Sequence, residues 1–325
     1  MTHHAVSTLN GVHMNPPLLE VRDLTIYRGD LEVLTSLSFE VREGEIFGLL
    51  GPNGSGKSST FACLMGLLPV HSGDILFNGQ LVKGGSKSLL RSMGIVFQNP
   101  SLDPLMSARE NLEMSAKLYR LPKQARRDRI EDLLRVADLI DRADEKVSTY
   151  SGGMKRRLEL VRSLIHHPKI LVMDEPTTGL DEGAFQRTWK RLLKLREEQG
   201  LSILLSTHRP EEAAFCDRIG FISDGKLIAC DTPEVLQGLV SGDHLSLSIN
   251  GEPERVVQQL KEHLDLTAQV VRNHIHLTVD EGHKLIPRII ETLPEGTVQS
   301  INMTRPHLGD VFLHLTGEKL AEELS

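Results

Sequence analysis

From Leu18 onward the chain alternates apolar and polar residues between turn signals, as in LLEVRDLTIYRGDLEVLTSLSFEV, which is the pattern of half-buried antiparallel strands. The pattern then changes to short apolar runs separated by longer helical stretches: SMGIVFQ, KILVMDEP, LSILLSTH and RIGFISDGKLIAC. Runs such as ILVM and SILLS have no polar alternation, so they read as strands of a parallel sheet buried on both faces. Between Gln98 and about Arg162 the segments ARENLEMSAKLYRL, QARRDRIEDLLRVADLI and MKRRLELVRSLI are helical in period, predicting a helical insertion over about 99–162. Beyond DTPEVLQGLVSG alternation returns, with Leu245, Leu247 and Ile249 on one strand face and Ile275, Leu277 and Val279 on another. PERVVQQLKEHL and HKLIPRIIETL read as helices between them, the second with Pro287 inside it. TVQSINMT and a final helix in LGDVFLHLTG complete a unit resembling βαββαβ. The expected organisation is a disordered leader over 1–17, a large α/β domain over 18–240 and a small α+β domain over 243–325.

The length of 325 residues fits one large and one small domain. A net charge of −7 weighs against a nucleic-acid partner held by a basic face. The basic runs KQARRDR and MKRR fall on helices and read as solvated faces. Cys63, Cys216 and Cys230 lie far apart, so neither a disulfide framework nor a zinc site is indicated, and they read as reduced thiols of a cytoplasmic protein. No apolar run approaches the roughly 20 residues that span a bilayer, and no signal-peptide core is present, so the chain is expected to be soluble, with no direct membrane insertion. His3, His4 and His13 belong to a polar leader ending at Pro16 and Pro17. His166 and His167 are adjacent and read as a helix end. His274 and His276 share the exposed face of one strand; with His283 they lack an acidic or thiol ligand to complete a metal set.

The stretch GPNGSGKSST, from Gly51 to Thr60, follows the apolar EIFGLL and precedes a helical pattern. Gly51, Gly54 and Gly56 allow backbone N–H groups to close on a phosphate chain, Lys57 reaches the β- and γ-phosphates, and the Ser58 hydroxyl is placed for Mg²⁺. The helix that follows offers its positive N-terminus to the same anion. KILVMDEP ends in Asp174 and Glu175, at the carboxyl edge of a strand, where ligands bind in α/β sheets. Asp174 is suited to hold Mg²⁺ and Glu175 to polarise a water aimed at the γ-phosphate. Ser151, Gly152 and Gly153 open a second helix and form a second anion site. One nucleotide needs only one such site, and a facing partner accounts for the other.

These residues together resemble an ATP-binding cassette (ABC) ATPase, over about Leu18 to Gln237. The resemblance implies a P-loop cassette fold: a mixed sheet core, an antiparallel β subdomain and a helical subdomain, followed here by the small α+β domain. Tyr27 matches the aromatic that stacks on adenine. Gly51, Pro52, Asn53, Gly54, Ser55, Gly56, Lys57, Ser58 and Ser59 match the Walker A loop, and Gln98 the Q-loop that touches Mg²⁺ and the membrane partner. Ser151 to Met154, including Gly153, match the signature; Asp174 matches the Walker B aspartate, Glu175 the catalytic glutamate, Leu180 and Asp181 the D-loop, and His208 the switch histidine. ATP and Mg²⁺ are implied, and so is a head-to-tail dimer in which each signature caps the ATP on the other subunit's Walker A loop.

The signature reads YSGGM where many members read LSGGQ, but Ser151 and Gly153 are kept. QNPSLDPLMSARENLEMSAKLYRLP, PTTGLD, STHRPEEA and GDVFLHLTG resemble ATPase subunits of type-2 exporters, although Gly309 stands where many members have Glu. The resemblance implies an ATPase that energises a separate integral-membrane permease and sits at the inner face of the cell membrane through it, with Gln98 and the helical insertion receiving the permease. Repair-type cassettes carry a long coiled coil between the equivalents of Lys57 and Asp174, and ribosome-type chains join two cassettes; this sequence shows neither. Glu175 and His208 argue against a module that holds ATP without turning it over.

Overall fold

The computed structural model describes residues 16–99, 101–240, 242–271, 274–279, 281–294, 296–304, 306–317 and 320; the leader placed at 1–17, with His3, His4 and His13, lies outside them apart from Pro16 and Pro17. The chain first builds an antiparallel sheet. β1 (Leu19–Arg28) pairs with β2 (Leu31–Val41). After β3 (Ile46–Leu50) and α1 (Lys57–Leu64) depart to a second layer, β4 (Ser72–Phe77) returns to the free edge of β1, and β5 (Gln80–Val82) pairs with β4. The alternation read from the sequence is visible as Leu19, Val21, Leu24 and Ile26 buried among Leu34, Leu37 and Phe39.

The next elements are α2 (Lys87–Ser92), β6 (Met93–Val96), α3 (Ala108–Leu118), α4 (Lys123–Val136), α5 (Gly152–Ser163), β7 (Ile170–Asp174), α6 (Glu182–Gln199), β8 (Ser202–Thr207), α7 (Pro210–Ala213), β9 (Arg218–Ser223), β10 (Lys226–Asp231) and α8 (Pro233–Gln237). A six-stranded sheet runs in the order β10-β9-β3-β8-β7-β6, parallel except for the edge strand β10. All residues of β3 and β8 are buried, which is why these strands read as unbroken apolar runs. Register fixes the site: Leu50 lies opposite Thr207, and Asp174 opposite Ser206. Three loops therefore leave one sheet edge side by side, those after β3, β7 and β8.

α3 opens with a full capping box, Ser107 and Glu110 bonding reciprocally to backbone N–H groups, and this fixes where the insertion becomes helical.

β11 (Asp243–Ile249), α9 (Pro253–Leu264), β12 (Ala268–Val271), β13 (His274–Val279), α10 (Gly282–Thr292) and β14 (Val298–Thr304) form a second unit, with an antiparallel sheet ordered β12-β13-β11-β14. Leu245, Leu247, Ile275 and Leu277 pack with Val256, Leu260 and Ile289 of its helices in a cluster of their own, and His274 and His276 lie on the opposite, exposed face. α10 carries Pro287 inside it. The last helix, α11 (Leu308–Thr316), behaves differently from the sequence expectation. Its Leu308, Val311 and Phe312 enter the core of the large domain, and Phe312 meets Phe221 of β9 edge to face with ring centroids 5.6 Å apart. Residues 243–325 thus do not all pack as one unit.

Candidate active site

The loop after β3 closes for steric as well as electrostatic reasons. A Cβ on Gly51 would stand 2.1 Å from the Ile222 carbonyl, and one on Gly56, at φ +107°, would stand 2.4 Å from Leu34 Cδ2. Two of the glycines expected to free the phosphate's approach are thus required by the packing of the loop against β2 and β9. Gly56 is also the N-cap of α1 and offers no side-chain acceptor, so the first N–H groups of the helix have no capping side chain. Ser55 Oγ is buried with no hydrogen-bond partner among the described residues. A buried orphan hydroxyl at a helix N-terminus fits a phosphate oxygen.

Lys57 is buried, and its Nζ donates to the carbonyls of Gly51 and Pro52, each at 2.8 Å, which leaves one of three N–H donors for a phosphate. Burial pushes its pKa down, while Glu175 and Asp174 nearby oppose that shift. Across the sheet edge Ser58 Oγ donates to Asp174 Oδ1 at 3.2 Å, and Ser206 Oγ bonds to the same carboxylate oxygen. A hydroxyl and a carboxylate converging on one point are hard oxygen donors of the kind Mg²⁺ prefers.

Glu175 is buried and adopts φ +46°, a left-handed backbone that a residue other than glycine holds only when its surroundings impose it. Its N–H donates to Ser206 Oγ at 3.1 Å and to the Ser206 carbonyl at 3.2 Å. Its carboxylate accepts from Gln98 Nε2 at 2.9 Å and Thr178 Oγ1 at 3.2 Å, and Oε1 lies 3.2 Å from His208 Nδ1. Of the residues expected to act together, Ser58, Asp174, Glu175, Gln98 and His208 form one hydrogen-bonded set through Ser206, and Lys57 lies close enough for the charges of Glu175 and Asp174 to act on it. Gln98 stands with Glu175, whereas Ser58 and Asp174 pair with each other. Tyr27 is partly exposed on β1 and meets the His71 ring edge to face at 4.7 Å.

Ser151 and Asp181 occupy other ground. Ser151 is the N-cap of α5 and accepts from Met154 N at 3.3 Å, and Asp181 is the N-cap of α6 and accepts from Ala184 N at 2.8 Å. They line a cleft of about 450 Å³ together with Gln98, Gly152 and Gly153, and no residue of 51–59 lines it. Nothing lies within 4 Å of the Cβ positions of Gly152 and Gly153, so the opening of α5 presents bare backbone.

The profile of a family described as ABC transporter matches residues 34–178. Over 94% of this chain and the whole of the relative, the linearmycin resistance ATP-binding protein LnrL of Bacillus subtilis (strain 168) is 33% identical. The chain belongs to the ABC transporter family. The Nod factor export ATP-binding protein I of Burkholderia orbicola (strain AU 1054) is 35% identical over 94% of this chain and 98% of its own length. Among solved structures, cbiO1 from Clostridium perfringens, part of the ABC transporter complex cbiONQ, superposes with a TM-score of 0.64 at 27% identity, covering 77% of this chain and 96% of that one. An ATP-binding cassette captured as a post-hydrolysis dimer with ADP and Pi superposes with a TM-score of 0.59 at 29% identity, over 66% of this chain and 98% of its own. The expected cassette fold, with its mixed sheet and helical subdomain, stands.

Ser206, Thr178 and Arg156 were not singled out in the sequence. A serine at the carboxyl end of the apolar strand SILLST was the available signal for Ser206. Arg156 lies in MKRR, read above as a solvated run, yet it is buried and donates to three backbone carbonyls.

Proposed function

We propose that this cassette hydrolyses ATP in a head-to-tail pair of copies and so drives a separate membrane permease of exporter type. The observation that carries the chemistry is the restraint of Glu175 from three sides, by Gln98, Thr178 and His208, beside a phosphate loop whose Lys57 stands ready in its own carbonyl cage. Lys57 and the N–H groups of residues 51–59 bind and orient the phosphates. Glu175 orients the attacking water and takes its proton, and His208 holds the carboxylate in place. Ser58 and Asp174 are the residues that would hold Mg²⁺, which when bound offsets the phosphate charge. The separation of Ser151 and Gly153 from the phosphate loop supports a composite site, in which they meet the γ-phosphate on the facing copy.

Export is supported by the relatives named for linearmycin resistance and Nod factor export, which match this chain along nearly all its length. Among the described residues no helix is long and apolar enough to cross a membrane; this reading assigns the path to the separate permease. The insertion exposes Leu105, just before α3, and Leu118, at its far end, each 75% accessible, and these are the apolar positions offered to a docking helix. Arg109 and Glu113, charged positions of the same insertion, are engaged within it. Arg109 pairs with Glu131 and Asp144, and Glu113 with Lys117 and Arg126. Charge reversal there would probe the packing of α3 on α4, whereas Leu105→Asp probes docking.

The test is Glu175→Gln. Turnover is expected to fall by about 10²-fold or more while ATP binding survives and an ATP-bound dimer persists in size exclusion. Wild-type turnover in the variant overturns the assignment.

A further inference from the structure

α5 does more than present Ser151 at its N-terminus. Five residues further on, Arg156 is buried and its guanidinium fork reaches across to two other segments. Nη1 donates to the Phe97 carbonyl at 2.6 Å, Nε to the Pro176 carbonyl at 2.7 Å and Nη2 to the Glu175 carbonyl at 3.4 Å. The first carbonyl belongs to the peptide that leads into Gln98, and the other two are those of Glu175 itself and of the residue that follows it. Glu159, one turn along the same helix and fully buried, accepts from Arg156 Nη1 at 3.0 Å. Its other oxygen accepts from the Ser101 N–H at 2.9 Å, while Arg162 Nη1 donates to the Ser101 carbonyl at 2.6 Å. Arg156, Glu159 and Arg162 form a row along one face of α5, and that row grips the Gln98 segment at both Phe97 and Ser101.

We propose that Arg156, with Glu159 as its counter-ion, is a positioning residue that fastens the Gln98 loop and the Glu175 turn to the signature helix. Any rotation of α5 that carries Ser151 toward or away from a nucleotide then displaces Phe97 and the Glu175–Pro176 carbonyls with it. The 2.9 Å contact between Gln98 Nε2 and Glu175 Oε2 is set from both ends by one guanidinium. A lysine cannot reproduce this, because its single nitrogen lacks the planar fork that serves three acceptors in fixed directions. Burial disfavours the charged guanidinium, and Glu159 opposes this most strongly, so neutralising Glu159 weakens the same link.

The inference rests on the reading of Glu175 as the group that activates water, and the experiment separates the two. Steady-state ATP turnover of the full chain is measured for wild type, Arg156→Lys, Glu159→Gln, Glu175→Gln and the double variant Arg156→Lys/Glu175→Gln. Misplacement of the water-activating group predicts a loss of about 10- to 100-fold in kcat for Arg156→Lys, with KM for ATP within about threefold of wild type. Glu159→Gln is expected to move kcat in the same direction, and it supplies the answer if Arg156→Lys does not fold. In the Glu175→Gln background Arg156→Lys is expected to cost less than about twofold more, because the group it positions is already gone. A general weakening of the fold would instead multiply through both backgrounds. Normal kcat in folded Arg156→Lys and Glu159→Gln, a change confined to KM, or full multiplication in the double variant overturns the link while leaving Glu175 in its role. Normal turnover in Glu175→Gln overturns both.

Discussion

Gln98 and Glu175 are joined by a hydrogen bond of 2.9 Å from the amide nitrogen to the carboxylate, across 77 residues of sequence. The donor's identity matters because Glu175 already faces His208 and Thr178. Gln98→Glu keeps the shape and puts a second carboxylate at that distance. Two carboxylates so close cannot both ionise readily, so one keeps its proton to higher pH. The acidic limb of the kcat–pH profile is expected to move upward, with turnover at pH 7 about tenfold lower and recovering toward pH 9. Gln98→Ala loosens the carboxylate without this shift. Superimposable pH profiles for the Gln98→Glu and Gln98→Ala variants would contradict the argument.

Ser151 lines a cleft that Lys57 and the rest of its loop do not line, and the composite site joins the two between chains. Lys57→Ala and Ser151→Ala copies, each inactive alone, are expected to regain part of the wild-type turnover when mixed. One of the two sites in each mixed dimer then has both residues intact. Activity of the mixture that never exceeds the mean of the two pure variants, with mixed dimers shown to form, counts against a shared site.

Glu212 on α7 is buried, accepts from Thr177 Oγ1 at 3.0 Å and lies four residues beyond His208. Burial raises its pKa from 4.5 to about 7, against the opposing effects of Thr207, Thr177, Arg209 and Arg156. The folded protein therefore binds a proton between those values that the unfolded chain has released. This contribution to stability is full below about pH 4.5 and is lost as the pH rises through about 7. Glu212→Gln removes the titration and keeps an acceptor for Thr177. Its urea midpoint is expected to exceed that of wild type at pH 8, by at most about 3 kcal/mol in stability, and the difference is expected to shrink as the pH falls and to level off below about pH 4.5. A variant that is less stable than wild type at pH 8 would sink this account.

The parallel strands were legible because burial on both faces leaves ILVM and the centre of SILLS without polar alternation, and the small sheet because Leu245, Leu247 and Ile249 alternate with serines. The site residues were legible one at a time, through short-range spacing such as that from Gly51 to Ser58. Their partnerships were not. Ser206 reaches Asp174 and Glu175 only because β7 and β8 pair in one register, and a sequence does not display register. Arg156 read as solvated because a basic residue on a helix usually is; its burial depends on carbonyls supplied by two remote segments. α11 shows the same limit. The apolar face of LGDVFLHLTG announces that something covers it, and the identity of that surface is a property of the whole fold.

The seat of α11 also bears on synthesis. The core that receives Leu308, Val311 and Phe312 is built from residues as early as Ile46 and Leu50. While the chain emerges from the ribosome, the large domain waits with that apolar seat uncovered until residues 308–316 arrive, although the small sheet unit lies between. During the interval the nascent cassette is a substrate for chaperones and is prone to stick to its neighbours. A premature stop codon just after β14 would therefore act as a folding lesion of the ATPase itself, far upstream of the codon that causes it.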